Sequence, residues 1–291
     1  MTRLYDRRCR VVLAKPRPTP QSKAGAFFGS LLPNGLEVEN LRMRFEVKRS
    51  LSKSPNTATI TISNLAPSSR AMVVEGPQVV SLEAGYPGAL RRLFIGDVFY
   101  AHSKPVGADV ETLIQANDGG RAFAHAHVNR AFAAGAMAIT AIQEAAGAMG
   151  LAVPRATTQR PALQRQFQQG LALAGKASDE LSQLLAPFGL GWSIQDGELQ
   201  ILDELGTAPG QAIRIDQAAG MFGSPEVSPP SKPGKKPTVS VRCLLLPEAK
   251  PGGQVQIVSR TVTGLHRIKE VTHAGDTHGS DWTTTMEVTE L

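Results

Sequence analysis

Between Leu41 and Lys48 the chain alternates without a break: Leu41, Met43, Phe45 and Val47 are apolar, and Arg42, Arg44, Glu46 and Lys48 are charged. A period of two sends successive side chains to opposite faces, so this segment can bury its apolar set only as a β-strand. After turn chemistry in SKSPN (52–56), TATITISNL alternates again with Ala58, Ile60 and Ile62 inward. The pair predicts a β-hairpin over 41–65, ended by NLAPSS. Further strands are expected at VVSLEAGY (79–86), RRLFIGDVFYAHS (91–103) and ADVETLIQAND (108–118). Five or so short strands at this spacing predict a small barrel or sandwich. The 28 Gly and 20 Pro, against 5% aromatic residues, fit turn-rich β structure better than a helical bundle.

The rhythm changes in the middle of the chain. AFAAGAMAITAIQEAAGAMG (131–150) is Ala-rich, with Ile139, Ile142, Ala146 and Met149 at helical spacing and Gly150 where a helix would stop. In KASDELSQLLAPFGLGW, Ser178 is the expected N-cap, Asp179 and Glu180 follow in the first turn, and Leu181, Leu184, Leu185 and Phe188 recur at i, i+3, i+4 and i+7. These residues and Trp192 are the expected core of a small α/β module with helices near 133–149 and 178–188. Asp196-Gly197 between Trp192–Gln195 and Glu198–Leu202 predicts a two-residue type I′ hairpin over 192–202.

Towards the end, strands are expected at 212–216 and 238–246, with a Pro- and Lys-rich loop over 224–237 (SPEVSPPSKPGKKP) predicted to be mobile unless a partner holds it. Val255, Ile257, Leu265, Ile268 and Val271 form the next inward set, and WTTTMEVTEL is a last strand after the polar hairpin HAGDTHGSD.

A length of 291 residues gives room for about two domains with real cores. The net charge of +6 is uneven: residues 1–53 hold twelve of the 31 Lys and Arg and four of the 25 Asp and Glu. That basic arm (Arg3, Arg7, Arg8, Arg10, Lys15, Arg17, Lys23) could meet nucleic acid or an acidic protein surface, but it lacks interleaved aromatics and a recognition helix. Residues 11–36 read as an extended arm with Phe27, Phe28, Leu31 and Leu32 as anchor side chains. With no apolar run of about 18 residues and a charged start, neither membrane insertion nor a secretory signal is expected, and folding in the cytoplasm is. Cys9 and Cys243, far apart and outside any CxxC spacing, are expected to be two reduced, separate thiols.

His273, Asp276, His278 and Asp281 fall within nine residues, a spacing open to a metal reading. Around Gly275 and Gly279, however, Asp and His also serve to bond the turn's own backbone. This cluster and HAH (125–127), after which a helix is expected, are both read as polar surface. No GxSxG, HExxH, P-loop or dinucleotide fingerprint occurs, and Asp203 and Glu204 are adjacent rather than paired across a cleft. The residues by themselves describe a β-rich protein without a catalytic or cofactor site.

Four collinear blocks carry a resemblance: LRMRFEVKRSLSKSPNTATITISNLAPSSRA (41–71), VSLEAGYPGALRRLFIGDV (80–98), GKASDELSQLLAPFGLGWSIQDGELQIL in the middle, and TVSVRCLLLPEAKPGGQVQIVS with THAGDTHGSDW. Together, over roughly residues 40–291, they resemble the baseplate hub proteins of tailed bacteriophages, a family related to type VI secretion spike hubs. The resemblance implies an α+β, mainly β fold: two tail-tube-like β-barrel domains with an inserted small α/β module. The first barrel with its arm would cover 1–120, the insert 121–205 and the second barrel 206–291. It also implies a non-enzymatic homotrimer, a ring joining the sixfold tail tube to the threefold spike, that leaves wall digestion to another protein. The implied partners are the tail tube or distal tail protein, the tape measure protein, the central spike protein and baseplate wedge proteins. DNA would pass through the lumen without specific binding, and the protein would reside in the virion baseplate after synthesis in the host cytoplasm.

On this reading Phe27, Phe28, Leu31, Leu32, Arg8 and Arg10 are the candidate subunit contacts, the four apolar ones serving equally to complete the chain's own first barrel. The loop 229–237 is a candidate contact with a peripheral baseplate protein, against plain solvation. No cofactor is expected. Two other classes stay open: a tail-tip cell-wall-degrading enzyme using Asp276 and Asp281, and a nucleic-acid-binding β-barrel whose affinity would fall steeply with salt.

Overall fold

The structure is a computed structural model that describes residues 6–15, 35–75, 79–119, 125–203, 206–230 and 236–291. It is 53% strand and 16% helix, mainly β as expected. The strands in the first stretch are β1 (Arg8–Ala14), β2 (Leu36–Val38), β3 (Met43–Ser50), β4 (Thr57–Ser63), β5 (Val79–Tyr86), β6 (Ala89–Val106) and β7 (Asp109–Asn117), with helix α1 (Pro67–Val74) after β4. The middle holds β8 (His127–Phe132), α2 (Ala138–Ala148), a single turn α3 (Arg155–Thr158), β9 (Leu171–Lys176), α4 (Ala177–Leu185), β10 (Leu190–Gln195) and β11 (Glu198–Asp203). The last stretch holds β12 (Ile213–Ile215), β13 (Met221–Ser228), β14 (Thr238–Leu244), β15 (Gln254–Val258), β16 (Thr263–Asp276) and β17 (Trp282–Glu290).

Among the described residues thirteen strands form one sheet in the order β13-β14-β17-β16-β3-β4-β7-β6-β5-β1-β2, with β15 also on β16 and β12 parallel to β15. The first and last thirds of the chain therefore meet edge to edge where β3 pairs with β16, Asp276 opposite Arg44 and Glu270 opposite Ser50. The alternation at 41–48 and 57–62 holds residue by residue: Met43, Phe45, Val47, Ala58, Ile60 and Ile62 are buried. Each fully buried aliphatic side chain removes enough apolar surface from water to contribute about 1.5–3 kcal/mol, and this fixes the register.

Three apolar clusters result. One lies on the strands of the first third together with Leu245 and Trp282, one lies within residues 128–201, and one lies on the strands of the last third. In the middle cluster α4 packs on β10 and α2 on α4 and β8, and Ile142, Leu181, Leu185, Trp192, Ile194 and Leu199 belong to one core. Trp192 Nε1 donates to Ser182 Oγ at 3.0 Å, so the indole is buried with its one donor satisfied. At the hairpin turn both Asp196 (φ 56°) and Gly197 (φ 80°) are left-handed, as a type I′ turn requires. Gly197→Ala, which puts a Cβ on that backbone, is expected to lower stability by about 1 kcal/mol. Urea denaturation checks this, and an unchanged midpoint would contradict the turn's geometry.

Several expectations need correction. The basic arm is partly sheet: β1 pairs along its length with β5, its Cys9, Val11 and Leu13 buried, because RCRVVL also alternates once the arginines are taken as its outer face. Residues 224–228, expected in a loop, belong to β13; Pro225, which lacks an N–H, is tolerated because the strand lies at the sheet edge and is bulged between Phe222 and Glu226. Residues 231–235 of that loop lie outside the described residues. Leu265 is 40% exposed rather than inward. A bulge in β16 between Ile268 and Glu270 resets the phase, so that Ile268 and Val271, an odd number of residues apart, both point inward. Helix α2 starts at Ala138 rather than near 133, and Ser178 is not its helix's N-cap: α4 begins at Ala177 with Lys176 at the cap position. The residues after HAH form strand β8 rather than a helix.

Candidate functional site

Three places in the fold gather chemistry: the polar hairpin between β16 and β17, the sheet edges, and a buried polar cluster where the β10–β11 turn meets the large sheet.

In the hairpin, the four residues of the metal reading do not converge. His273 is fully buried, with Nδ1 2.9 Å from Thr284 Oγ1, so it is not the surface residue expected from its polarity. Burial first, then the charges of Arg49 and Lys250, push its pKa down to about 3. Asp276 Oδ1 accepts from His278 N at 2.9 Å, bonding its own turn, and Oδ2 accepts from Arg42 Nη2 at 2.8 Å. Burial pushes the Asp276 carboxyl up, but the Arg42 guanidinium and the His278 and Gly279 N–H groups outweigh it, and it lies below the ordinary carboxylate value. Such a group stays ionised and is a poor general acid. Among the described residues, no group of three or more His, Cys, Asp or Glu is placed to hold a metal ion. The hairpin is instead clasped by Arg7, whose Nη1 donates to the carbonyls of Asp276 at 2.9 Å and Gly279 at 2.6 Å. The same guanidinium lies 5.5 Å over the Trp282 ring, a cation–π contact that ties the start of the chain to its end.

Of the candidate subunit contacts, Arg8 sits 3.9 Å from Asp6 and Arg10 is held by Glu83 at 2.5 Å and Glu37 at 3.2 Å on neighbouring strands. The charge of Arg10 is thus largely answered within the chain. Phe27, Phe28, Leu31 and Leu32 lie outside the described residues. Among the described residues the sheet ends on β2, three residues long, on β13 and, at the end of its branch, on β12. Edge strands carry unpaired backbone groups that another chain can meet. On β13 Phe222 is 46% and Val227 57% exposed, with the Arg242 guanidinium 5.9 Å from the Phe222 ring. A bulge in β6 between Val98 and Tyr100 turns Phe99 and Tyr100 outward together. Sequence reading passed over these two aromatics because alternation puts neighbours on opposite faces, and the bulge is what cancels it.

The buried cluster is the arrangement least visible in the sequence. Arg49, 3% exposed, follows Val47 in the inward phase of β3, and its guanidinium reaches the Leu93 carbonyl at 3.1 Å, Gln195 Oε1 at 3.1 Å and Asp196 Oδ2 at 3.0 Å. Lys250 Nζ donates to the same Asp196 oxygen at 2.8 Å. Asn56 Nδ2 donates to the Ile194 carbonyl at 2.8 Å, and Gln195 Nε2 to the Ser50 carbonyl at 2.8 Å. The Asp118 carboxylate accepts from Asp196 N at 2.7 Å and from Gly197 N at 3.0 Å. Arg49 and Asp118 are thus buried, with Asp196 partly buried between them and Lys250 reaching in from the surface, and each is bonded, which is the condition for tolerating the buried pair away from water. Burial raises the Asp196 carboxyl and Arg49 with Lys250 lowers it, the net effect being downward. A charge in the inward phase of a strand was the one available signal, at Arg49.

No family model and no curated protein matches the sequence. The fold, by contrast, has close counterparts among solved structures. A 43 kDa tail protein of prophage MuSo2 from Shewanella oneidensis superposes with a TM-score of 0.64 at 9% identity, over 97% of this chain and 96% of that one. A tail protein from Neisseria meningitidis gives 0.66 at 10% identity, over 98% and 97%. An E. coli component of the type VI secretion system, described as structurally similar to the T4 phage tail proteins gp27 and gp5, gives 0.58 at 11% identity, over 86% and 73%. The neighbours of this fold are phage tail proteins and type VI spike-like proteins, and the similarity extends over nearly the whole chain.

Proposed function

We propose that the chain is a structural baseplate hub of a phage-type tail. The observation that carries this reading is the end-to-end fold similarity to two tail proteins, over 97% and 98% of this chain. In the hub, three copies form a ring between the sixfold tail tube and the threefold spike, with two tail-tube-like barrels per chain, 1–120 and 206–291, around the insert 121–205. The terminal strands β2 and β13, which have no second neighbour among the described residues, support it: a closed ring in which an edge of one copy meets an edge of the next hides both from aggregation. Phe222, Val227 and the β1–β2 edge with Arg8 are the surfaces that would meet, together with Phe27, Phe28, Leu31 and Leu32. The partners on this reading are the tube or distal tail protein, the tape measure protein, the spike and the wedge proteins, and DNA passes the lumen without specific contacts. The role is non-enzymatic, in keeping with the bonded, ionised state of Asp276.

Light scattering of the purified protein, alone and with a cognate spike protein, tests it. The expected mass is three times the 30.9 kDa of one chain. The double variant Phe222→Lys, Val227→Lys, which charges the β13 edge at exposed positions, is expected to reduce the trimer to folded monomer. A wild-type monomer that stays monomeric with every tail partner would refute the hub.

A further inference from the structure

The polar bonds traced between the separately cored insert and the large sheet gather on Ile194–Gln200, at the tip of the β10–β11 hairpin. Asp118, directly after β7, lies under that tip and is 3% exposed. Facing it are Arg49 from β3, Asn56 from the segment before β4, whose Nδ2 is 3.5 Å from Oδ2, and Asp196 from the turn itself. Behind Asp196 stands Lys250, from the segment between β14 and β15, and behind Arg49 and Lys250 stands His273 on β16, neutral and bonded to Thr284 of the sheet.

From this geometry we propose that the cluster is a proton-responsive latch, in which docking of the Asp196–Gly197 turn seals Asp118 from water and uptake of a proton tightens the dock. With the turn away, Asp118 faces water and titrates as an ordinary carboxyl, near about 4. With the turn docked, burial and then the neighbouring Asp196 charge raise it to about 6, although Arg49 and the two turn N–H groups pull the other way. The docked state binds the proton more tightly, so falling pH between those two values favours docking, by about tenfold from pH 7 to pH 5. The bonds from Asp196 N and Gly197 N, one to each oxygen, favour the charged carboxylate and weaken when it is protonated, a loss that burial and the Asp196 charge outweigh. Asp196, whose carboxyl lies below its ordinary value, opposes this only in the more acidic range where its own undocked form takes up a proton. His273 has the opposite sign for the whole fold: kept neutral when folded, it costs stability as pH falls below its unfolded value near about 6.5.

The opposite signs make the test specific. Hydrogen exchange read residue by residue on the full chain, corrected for the intrinsic pH dependence of exchange, is expected to show the Asp196 and Gly197 amides, which donate to Asp118, about tenfold better protected at pH 5 than at pH 7. The strands of the large sheet should gain nothing, and Asp118→Asn should abolish the gain. Unchanged or weaker protection of these two amides at pH 5, the same gain in Asp118→Asn, or a gain shared by the whole sheet would each overturn the latch. If Asp118→Asn does not fold, a carboxyl-carbon NMR titration of the wild type decides: a midpoint near 6 supports the latch, and one at or below 4 overturns it.

Discussion

Arg49→Ala is expected to lower the stability of the protein by about 3 kcal/mol, the low end of the range for removing one partner of a buried charge pair, because the Asp196 left behind is 20% exposed. The side chain is 3% exposed, and its loss strips a donor from the Leu93 carbonyl, from Gln195 and from Asp196 at once. Asp196 would keep Lys250 at 2.8 Å, which limits but does not cancel the effect. Arg49→Lys should recover only part of it, because a single ammonium cannot span three acceptors in a planar fork. Urea denaturation of the three proteins measures the effect, and a loss below about 1 kcal/mol for Arg49→Ala would mean that the cluster is not the joint between insert and sheet described above.

Trp282→Ala is expected to cost about 3–5 kcal/mol through the cavity and the lost contacts of a large core aromatic. Trp282 is 1% exposed, packs edge-on against Phe45 at 5.6 Å, and belongs to the apolar cluster of the first third although it lies near the end of the chain. It is also the ring beneath Arg7, so the variant should loosen the clasp on 276–281 and raise hydrogen exchange there before the rest of the sheet. Exchange that stays slow in that hairpin would show that the Arg7 bonds to the Asp276 and Gly279 carbonyls hold it without the ring.

Much of the β framework was legible because its signal is local. The inward sets of β3 and β4 follow from alternation, and β5 runs over the expected 79–86. The left-handed pair at Asp196 and Gly197 follows from the residue types a type I′ turn demands. The helical core residues Leu181, Leu184 and Leu185 are buried as their spacing requires. What misled were irregularities: the bulge in β6 sets Phe99 and Tyr100 outward together, the bulged edge of β13 admits Pro225 to a strand, and the bulge in β16 brings Val271 inward with Ile268, whereas Leu265, three residues before Ile268, faces solvent by plain alternation. Polarity misled at His273, where an imidazole bonded to Thr284 is at home inside the sheet.

The sequence by itself determined the periods, the turn conformations and the order of β, α/β and β segments, because each of these depends on residues within a few positions of one another. Only the tertiary structure decided which strands adjoin, and with them every feature of the candidate site. Pairing of β3 with β16 brings Arg42 to Asp276, and the seating of one hairpin tip on that seam brings buried Arg49 and Asp118, partly buried Asp196 and the surface Lys250 into one cluster. Charges so distant along the chain carry no shared period or motif, and what joins them is the cost of leaving Arg49 or Asp118 buried without a partner.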